Sequence, residues 1–169
     1  LDGLDLDVRA GEWVLYLGQN GVGKSTTMRL LMGLSEPTSG AARVLGLDPW
    51  REGAEVRRRV GFLPEDFQPY DYLTGREYLQ FVGDLFDLAR GPRDRRADEL
   101  LELLDLSGAA HRFAREYSHG MRKKLGIAAA LMHEPRLLVL DEPTAELDPR
   151  TSDLIRMVLR GLADAGTGI

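Results

Sequence analysis

A glycine-rich stretch early in the chain has the residue types and spacing of a phosphate-binding loop. Residues 18–25 read GQNGVGKS, which fits G-x-x-x-x-G-K-[ST]. Glycines let such a loop turn its backbone N–H groups around a phosphate, and the N-terminus of the following helix adds partial positive charge. We expect Lys24 to reach the β- and γ-phosphates of a nucleotide, Ser25 to place its hydroxyl on Mg²⁺ and Thr26 to bond the α-phosphate. The predicted nucleotide contacts of the loop are Asn20, Gly21, Val22, Gly23, Lys24, Ser25 and Thr26.

Two adjacent carboxylates follow a short apolar run in the last third of the chain. The run LLVL at 137–140 predicts a buried strand, and Asp141 and Glu142 come directly after it. In open α/β sheets, ligands bind at the C-terminal ends of the strands. We expect Asp141 to hold Mg²⁺ through water and Glu142 to polarise the attacking water at the γ-phosphate. A strand running into an acidic turn would explain this pair taken alone, but the phosphate-binding loop far upstream favours the catalytic interpretation.

These two groups of residues can meet only if the elements carrying them share one edge of a sheet. Apolar runs predict buried strands at 13–17, 60–63 and 137–140, and residues 41–47 suit a strand or hairpin edge. Apolar periodicity and capping patterns predict a helix directly after residue 23, a helix opened by the capping box at 74–77, and helices over 95–106, 119–132 and 151–163.

This order predicts an α/β fold: a P-loop NTPase core with a mostly parallel sheet and an inserted helical subdomain. We assign residues 1–69 and 133–169 to the core, incomplete at both ends, and residues 70–132 to the helical subdomain.

Composition narrows the function classes. The chain has 169 residues, a net charge of −5 and no cysteine. A mildly acidic domain is a poor candidate for non-specific nucleic-acid binding, which selects for clustered Lys and Arg. Without cysteine, disulfides and thiolate metal sites are excluded. No apolar run approaches the roughly 20 residues that span a bilayer. Because the sequence starts at Leu1 and stops at Ile169 before an expected strand, we expect a piece cut at both ends.

Two further motifs carry a family resemblance. Residues 117–125, YSHGMRKKL, resemble the signature motif of ATP-binding cassette (ABC) domains, and residues 143–149, PTAELDP, resemble the D-loop of that family. With the phosphate-binding loop and the acidic strand, these motifs cover nearly the whole chain. In the family two domains pair head to tail, and the resemblance therefore implies that Ser118 and Gly120 contact the γ-phosphate in the partner's site. Ser118 taken alone would merely cap a helix.

The sequence departs from the family pattern at four positions. His119 replaces the usual first glycine of the signature, and Met121 replaces the usual glutamine. Glu146 occupies a D-loop position where glycine is common. Glu65 stands where the family has the Q-loop glutamine, so the resemblance implies a catalytic and Mg²⁺-binding role, although a carboxylate adds negative charge near the phosphates. The segments YLTGRE, FLPE and YSHGM resemble the drug, antibiotic or polysaccharide exporter branch.

The resemblance implies an ATPase subunit of a membrane exporter, peripheral on the cytoplasmic face of the membrane. Its implied cofactors are ATP and Mg²⁺, and its implied partners are a second nucleotide-binding domain, as a head-to-tail homodimer, and a separate transmembrane permease. No nucleic-acid partner is expected. Force would pass to the permease near Glu65 and through the aromatic segment 66–72, unless that segment is an ordinary turn that packs its own aromatics.

Two alternatives stay open. One is a soluble cassette ATPase acting on ribosomes or DNA, although paired cassettes, coiled-coil insertions and basic arms are not visible in the sequence. The other is a nucleotide-binding module without turnover. The family's adenine-stacking aromatic and switch histidine are not in this chain, because Trp13 and Tyr16 suit a core strand and all three histidines precede Asp141. We therefore expect the isolated chain to bind nucleotide weakly and to hydrolyse it poorly.

Overall fold

A parallel strand pair lies at the centre of the fold. The computed structural model describes residues 3–19 and 21–169. Strand β1 (Val60–Leu63) pairs with strand β2 (Leu137–Leu140), with Val60 opposite Leu137 and Leu63 opposite Leu140. Parallel strands need a long crossover between them, and here a helical block supplies it. The predicted strands at 60–63 and 137–140 and the parallel α/β arrangement are thus confirmed.

The helices surround this pair. In the described ranges, the α-helices are α1 (Lys24–Leu31), α2 (Gly53–Arg57), α3 (Gly75–Leu85), α4 (Arg90–Leu103), α5 (His119–Leu131) and α6 (Pro149–Asp164), with short 3-10 turns at Ser107–Ala109 and Ala114–Glu116. The sequence did not predict α2. A strand or hairpin edge was expected at residues 41–47. In the described structure, this segment forms only a single antiparallel bridge between Val44 and Leu47.

Helix α4 begins five residues earlier and ends three residues earlier than the predicted range of 95–106. Pro92 lies in its first turn, where a missing N–H removes no hydrogen bond that the helix would otherwise make. The helix ends before Asp105, which adopts a left-handed backbone conformation with φ of 53°. Pro92 therefore marks the start of this helix and does not interrupt it.

The predicted strand at 13–17 does not form. Leu15 and Leu17 are 72% and 76% exposed, and Trp13 is also exposed, so the expectation that Trp13 belongs to the core was wrong. Only the start of the segment has a backbone partner: Val14 N–H donates to the carbonyl of Ile169, and Ile169 N–H donates to that of Glu12. A strand needs a continuous ladder, and no described backbone pairs with residues 15–17.

The main hydrophobic core runs across the predicted domain boundary. It joins residues of α3, α4 and α5 to Leu63, Leu138 and Ile155. A smaller cluster under α1 contains Met32, Val44, Val56, Val60 and Val139. Because helix and strand residues share one core, the division into a core at 1–69 and 133–169 and a subdomain at 70–132 stays a prediction. Within the described ranges, no helix combines the length and the apolar character needed to cross a bilayer.

Candidate nucleotide-binding site

The glycine-rich loop leads into α1 through left-handed backbone. Gly21 has φ of 81° and Gly23 has φ of 105°, conformations that glycine adopts without a Cβ penalty. Gly23 is the N-cap of α1 and makes no side-chain cap. The first N–H groups of a helix have no partner inside it, so this helix start can receive an anion. Val22 is exposed, and Asn20 lies outside the described residues.

The side chain of Lys24 returns across the loop. Its Nζ donates to the carbonyl of Gly18 at 2.7 Å and lies 3.9 Å from Oε1 of Glu142. The Lys24 side chain is 18% exposed and that of Glu142 is 42% exposed. An ammonium has three N–H donors. The geometry thus places a cation between the loop and the carboxylate that follows β2.

Ser25 and Asp141 meet although they are distant in sequence. Ser25 Oγ donates to Asp141 Oδ2 at 3.0 Å. Asp141 is buried, and its backbone N–H donates to the carbonyl of Leu63 at 2.8 Å, which anchors it to the end of β1. A hydroxyl and a carboxylate are hard oxygen ligands suited to Mg²⁺.

In the part of the chain that the structure describes, no three His, Cys, Asp or Glu side chains converge as a metal site. Mg²⁺ is usually bound by one or two protein groups, with waters and phosphate oxygens completing its shell. The pair of Ser25 and Asp141 fits this pattern.

Two glutamates in the turn after β2 adopt left-handed conformations. Glu142 has φ of 46° and Glu146 has φ of 58°. Such angles are strained for residues with a Cβ and cluster at functional sites. For Glu146 this supplies the physical reason that glycine suits this D-loop position.

Glu65 lies at the same edge of the sheet, but its carboxylate makes no hydrogen bond or ion pair with Lys24 or Ser25. The residue follows β1 as Glu142 follows β2, since Leu63 is opposite Leu140. Glu65 is exposed, and its backbone carbonyl accepts a hydrogen bond from Lys123 Nζ at 3.1 Å. Within the described residues its side chain makes no hydrogen bond or ion pair. Its predicted catalytic and metal-binding role therefore stays a prediction.

Ser118 and Gly120 lie at the start of α5. Ser118 Oγ accepts a hydrogen bond from Met121 N–H at 3.3 Å, so its own O–H remains free to donate. A Cβ on Gly120 would be 3.5 Å from Thr151 Cγ2, an ordinary contact. No hydrogen bond of the described residues joins Ser118 or Gly120 to the loop before α1. Their predicted contact with a partner's nucleotide stays a prediction.

A cleft of about 1260 Å³ opens beside this group of residues. Its lining includes Lys24, Asp141 and Glu142 as well as residues 13–18. Thr26, which was predicted to bond the α-phosphate, is exposed on the first turn of α1.

One loop contact was not anticipated from the sequence. Thr27 Oγ1 donates to the carbonyl of Gly23 at 3.0 Å, beside the backbone bond from Thr27 N–H to the same oxygen at 2.9 Å. This bond tightens the first turn of α1. The signal for it was available, because Thr often bonds the carbonyl four residues earlier in a helix.

Comparison with known proteins agrees with this geometry. A family model described as "ABC transporter" matches residues 1–145. The daunorubicin/doxorubicin resistance ATP-binding protein DrrA of Streptomyces peucetius is 43% identical over 169 residues, which are 100% of this chain and 51% of that protein. The chain spans about half the length of the curated relatives it matches.

Solved structures share the fold. An ATP-binding subunit of an ABC transporter aligns with a TM-score of 0.87 and 32% identity over 97% of this chain and 68% of that chain. A dimeric ATP-binding cassette in a post-hydrolysis state, bound to ADP and Pi, aligns with a TM-score of 0.87 and 27% identity over 96% of this chain and 74% of that chain.

Proposed function

The chain belongs to the ABC transporter family, and we propose that it is the ATP-binding and ATP-hydrolysing part of a membrane exporter. The observation that carries the proposal is the contact between Ser25 and Asp141, with Lys24 beside it. This contact joins the phosphate-binding loop to the acidic strand end. The export role is supported by the resistance function named for the Streptomyces relative.

Three side chains bind the nucleotide phosphates and the metal. Lys24 exchanges its bond to the Gly18 carbonyl for the β- and γ-phosphates. Ser25 and Asp141 would hold Mg²⁺, and the bound ion would neutralise phosphate charge. The open N–H groups at the start of α1 and the loop residues from Asn20 to Thr26 surround the phosphates.

Glu142 is the catalytic carboxylate. It lies at the end of β2, 3.9 Å from Lys24 Nζ, so it faces the position that the γ-phosphate takes. Its carboxylate accepts a hydrogen bond from the attacking water and polarises it, as general-base catalysis requires. The left-handed backbone at this residue keeps the carboxylate turned toward Lys24 at a local cost in strain.

Glu65 acts from the neighbouring strand end. Its carboxylate offers an oxygen ligand to Mg²⁺ when the site is loaded. The Glu65 carboxylate also adds negative charge near the phosphates. It would therefore attract Mg²⁺ but repel a nucleotide that carries no Mg²⁺. This makes Mg²⁺ a stronger requirement for tight nucleotide binding here than a glutamine would.

A complete site needs two chains. The signature residues Ser118 and Gly120 are not joined to the loop of their own chain in the described residues, and the start of α5 is exposed at Ser118. We therefore assign them to the γ-phosphate held by a second copy arranged head to tail. The O–H of Ser118 and the N-terminus of α5 both suit an anion.

The membrane partner contacts the aromatic segment 66–72. Tyr70 and Tyr72 are 59% and 76% exposed. Tyr70 also packs edge to face against Tyr78 and Phe81 of α3, with ring centroids 6.1 and 5.3 Å apart. The segment is thus supported from beneath while its outer surface stays open. A permease that docks here would hold the subunit on the cytoplasmic face of the membrane.

Mixing two damaged variants tests the composite site. In the complete polypeptide that contains this sequence, Lys24→Ala disables the loop, and Ser118→Arg blocks closure with its bulk. Each homodimer then has two damaged sites, whereas a head-to-tail heterodimer collects both lesions in one site and leaves the other whole. We expect ATP binding at the whole site and a partial return of turnover on mixing.

The matched control mixes Lys24→Ala with a variant that carries both substitutions, because no pairing of those chains yields a whole site. If mixing gives neither ATP-driven dimerisation nor activity, two explanations remain. Either the signature residues act within one chain, or the two sites work only when both are intact. Cysteines near Gly21 and Gly120, at exposed Gln19 and His119, decide between these explanations, since residues 1–169 contain no other cysteine. A crosslink within a single chain would overturn the head-to-tail arrangement.

A further inference from the structure

A buried lysine on α5, the helix that carries the signature residues, bonds the turn after β1 in the same chain. Lys123 is on α5, about one turn beyond Gly120, and is 5% exposed. Its Nζ donates to the backbone carbonyl of Glu65 at 3.1 Å. Among the described residues it has no carboxylate within ion-pair distance. The bond therefore joins α5 to the turn after β1.

Stability alone does not require a lysine at this position. Burying an ammonium with only a carbonyl partner costs more than burying an apolar side chain of the same length. Methionine would fill the same volume without that cost. Ile127 and Leu131, which follow on the same face of α5, are apolar and fully buried. Lys123 is thus a charged group in an otherwise apolar stripe.

The position of the bond matters for both ends of the site. Glu65 follows β1, and the last residue of that strand, Leu63, accepts the backbone bond that anchors Asp141. At the other end, Ser118 lies about 7.5 Å from Lys123 along the helix axis. Gly126 keeps α5 close to the strand, because a Cβ there would be 2.6 Å from Leu63 Cδ1. Lys123 holds the part of α5 that lies between this close contact and the signature.

We propose that Lys123 is a positioning residue that fixes the signature end of α5 relative to the Glu65 turn, so that Ser118 and Glu65 move as one unit. This inference rests on the proposed ATPase function. It predicts that removing the Lys123 bond leaves phosphate binding by the chain's own loop unchanged. What it weakens is presentation of the signature to the partner chain, and with it turnover.

Lys124 is a matched control on the same helix. It is also buried, at 7% exposure, and its Nζ donates to a backbone carbonyl, that of Asp105, at 2.9 Å. Burial lowers the pKa of Lys124, and nearby Asp105 opposes this effect. Both ends of this bond lie within residues 105–124, so it does not connect α5 to the turn after β1.

The test compares Lys123→Met, Lys123→Gln, Lys123→Arg and Lys124→Met in the complete polypeptide with cysteines at Gln19 and His119. Three quantities are measured: the Kd for Mg-ATP, the yield of ATP-dependent crosslink between chains, and kcat for ATP hydrolysis without the cysteines. Lys123→Met should keep the wild-type Kd while crosslink yield and kcat fall about tenfold, as loss of one hydrogen bond to a charged group predicts.

The other variants keep the test decisive if Lys123→Met does not fold. Lys123→Gln is neutral and too short to reach Glu65, so it should show the same losses, and Lys123→Arg should restore most of both readouts. Lys124→Met should lower the melting temperature yet leave crosslinking and kcat near wild type. Wild-type crosslinking and kcat in Lys123→Met or Lys123→Gln would overturn the proposal, as would equal losses in Lys124→Met. If the wild-type protein itself binds ATP but neither crosslinks nor hydrolyses it, the proposed function fails instead.

Discussion

Helices α1 and α3 begin in opposite ways. At the start of α3, Thr74 Oγ1 accepts from Glu77 N–H, and the Glu77 carboxylate accepts from Thr74 N–H at 2.8 Å. These bonds from Thr74 lower the pKa of the Glu77 carboxyl. At the start of α1, Gly23 has no side chain with which to cap. Every helix start has N–H groups without a partner inside the helix. At the start of α3 other groups of the protein accept from them, whereas the phosphate-binding loop leaves those of α1 open to a ligand.

The same contrast extends to the surroundings of the two helices. Near α1 the chain has left-handed backbone at Gly21, Gly23 and Glu142, and its polar groups are partly exposed. In the helical block, Tyr117 is 2% exposed and its O–H donates to the carbonyl of Ala109 at 2.8 Å. Changes at the open end should therefore alter chemistry with little change in stability. Changes to buried packing in the helical block, away from Ser118, Gly120 and Lys123, should do the reverse.

The largest expected effect is on turnover. Glu142→Gln in the complete polypeptide keeps the size of the side chain and removes the charge that polarises water. We expect kcat to fall by about 100-fold or more, with ATP still bound and the ATP-bound dimer accumulating. Glu134→Gln is the control, because Glu134 is also exposed and left-handed, with φ of 52°. Wild-type hydrolysis in Glu142→Gln would exclude Glu142 as the catalytic carboxylate.

The next largest effect is on affinity. Lys24→Ala removes the cation beside the loop, and we expect the Kd for Mg-ATP to rise about 100-fold, since hydrogen bonds to charged groups are strong. The melting temperature should hardly change, because in the described residues Lys24 bonds only the Gly18 carbonyl and lies near Glu142. Arg29→Ala, in the last turn of α1, is the control. An unchanged affinity in a calorimetric titration would remove Lys24 from the site.

A substitution in the helical block should produce the opposite pattern. A Cβ at Gly75 would collide with the hydroxyl of buried Tyr117. We expect Gly75→Ala to destabilise the fold by about 2 kcal/mol and to leave the Kd for Mg-ATP unchanged. Gly161→Ala is the control, because a Cβ there meets no atom within 4 Å, and alanine should stabilise α6 by up to about 1 kcal/mol. Urea unfolding measures both, and equal stability in Gly75→Ala would contradict the packing.

The smallest expected effect is on the pH dependence of stability, through the half-buried His133. His133 stacks on Phe86 with ring centroids 3.8 Å apart and bonds the Val60 carbonyl through Nε2, while its buried Nδ1 has no partner in the described residues. Burial lowers the pKa of His133, and the bond to Val60 partly opposes this. Folded His133 therefore resists a proton that the unfolded chain accepts, so stability is lost as pH falls below about 6.5.

When the pH falls from about 7.5 to about 5.5, the free energy of unfolding should decrease in both proteins. The decrease should be roughly 1 kcal/mol smaller in His133→Phe than in the wild type. His111→Phe, at an exposed histidine, should follow the wild-type curve. Parallel curves for wild type and His133→Phe in urea titrations would show that His133 does not carry the pH dependence.

Local patterns were sufficient wherever neighbours in sequence make the contact. The capping box at Thr74 and the start of α5 at His119 were predicted correctly from such patterns. The strands at 60–63 and 137–140 were also predicted correctly from their apolar runs, although they pair with each other across a long stretch of chain. Patterns failed where a distant segment decides the outcome. The run at 13–17 has the composition of a strand, but the described residues offer a backbone partner only at its start. Helix α2, with five residues, is too short to show apolar periodicity.

For the candidate site, the amino-acid sequence establishes which residue types are present and in what order: the glycine loop, the lysine and serine, and the carboxylates after an apolar strand. The contact between Ser25 and Asp141 and the position of Lys24 beside Glu142 come from the folding of distant segments onto each other. The fold also brings Lys123 Nζ to the Glu65 carbonyl, while the Glu65 side chain makes no hydrogen bond or ion pair in the described residues. The physical reason is that motif spacing encodes local backbone geometry, whereas contacts between segments far apart in the chain depend on how the strands register and how α5 packs against them.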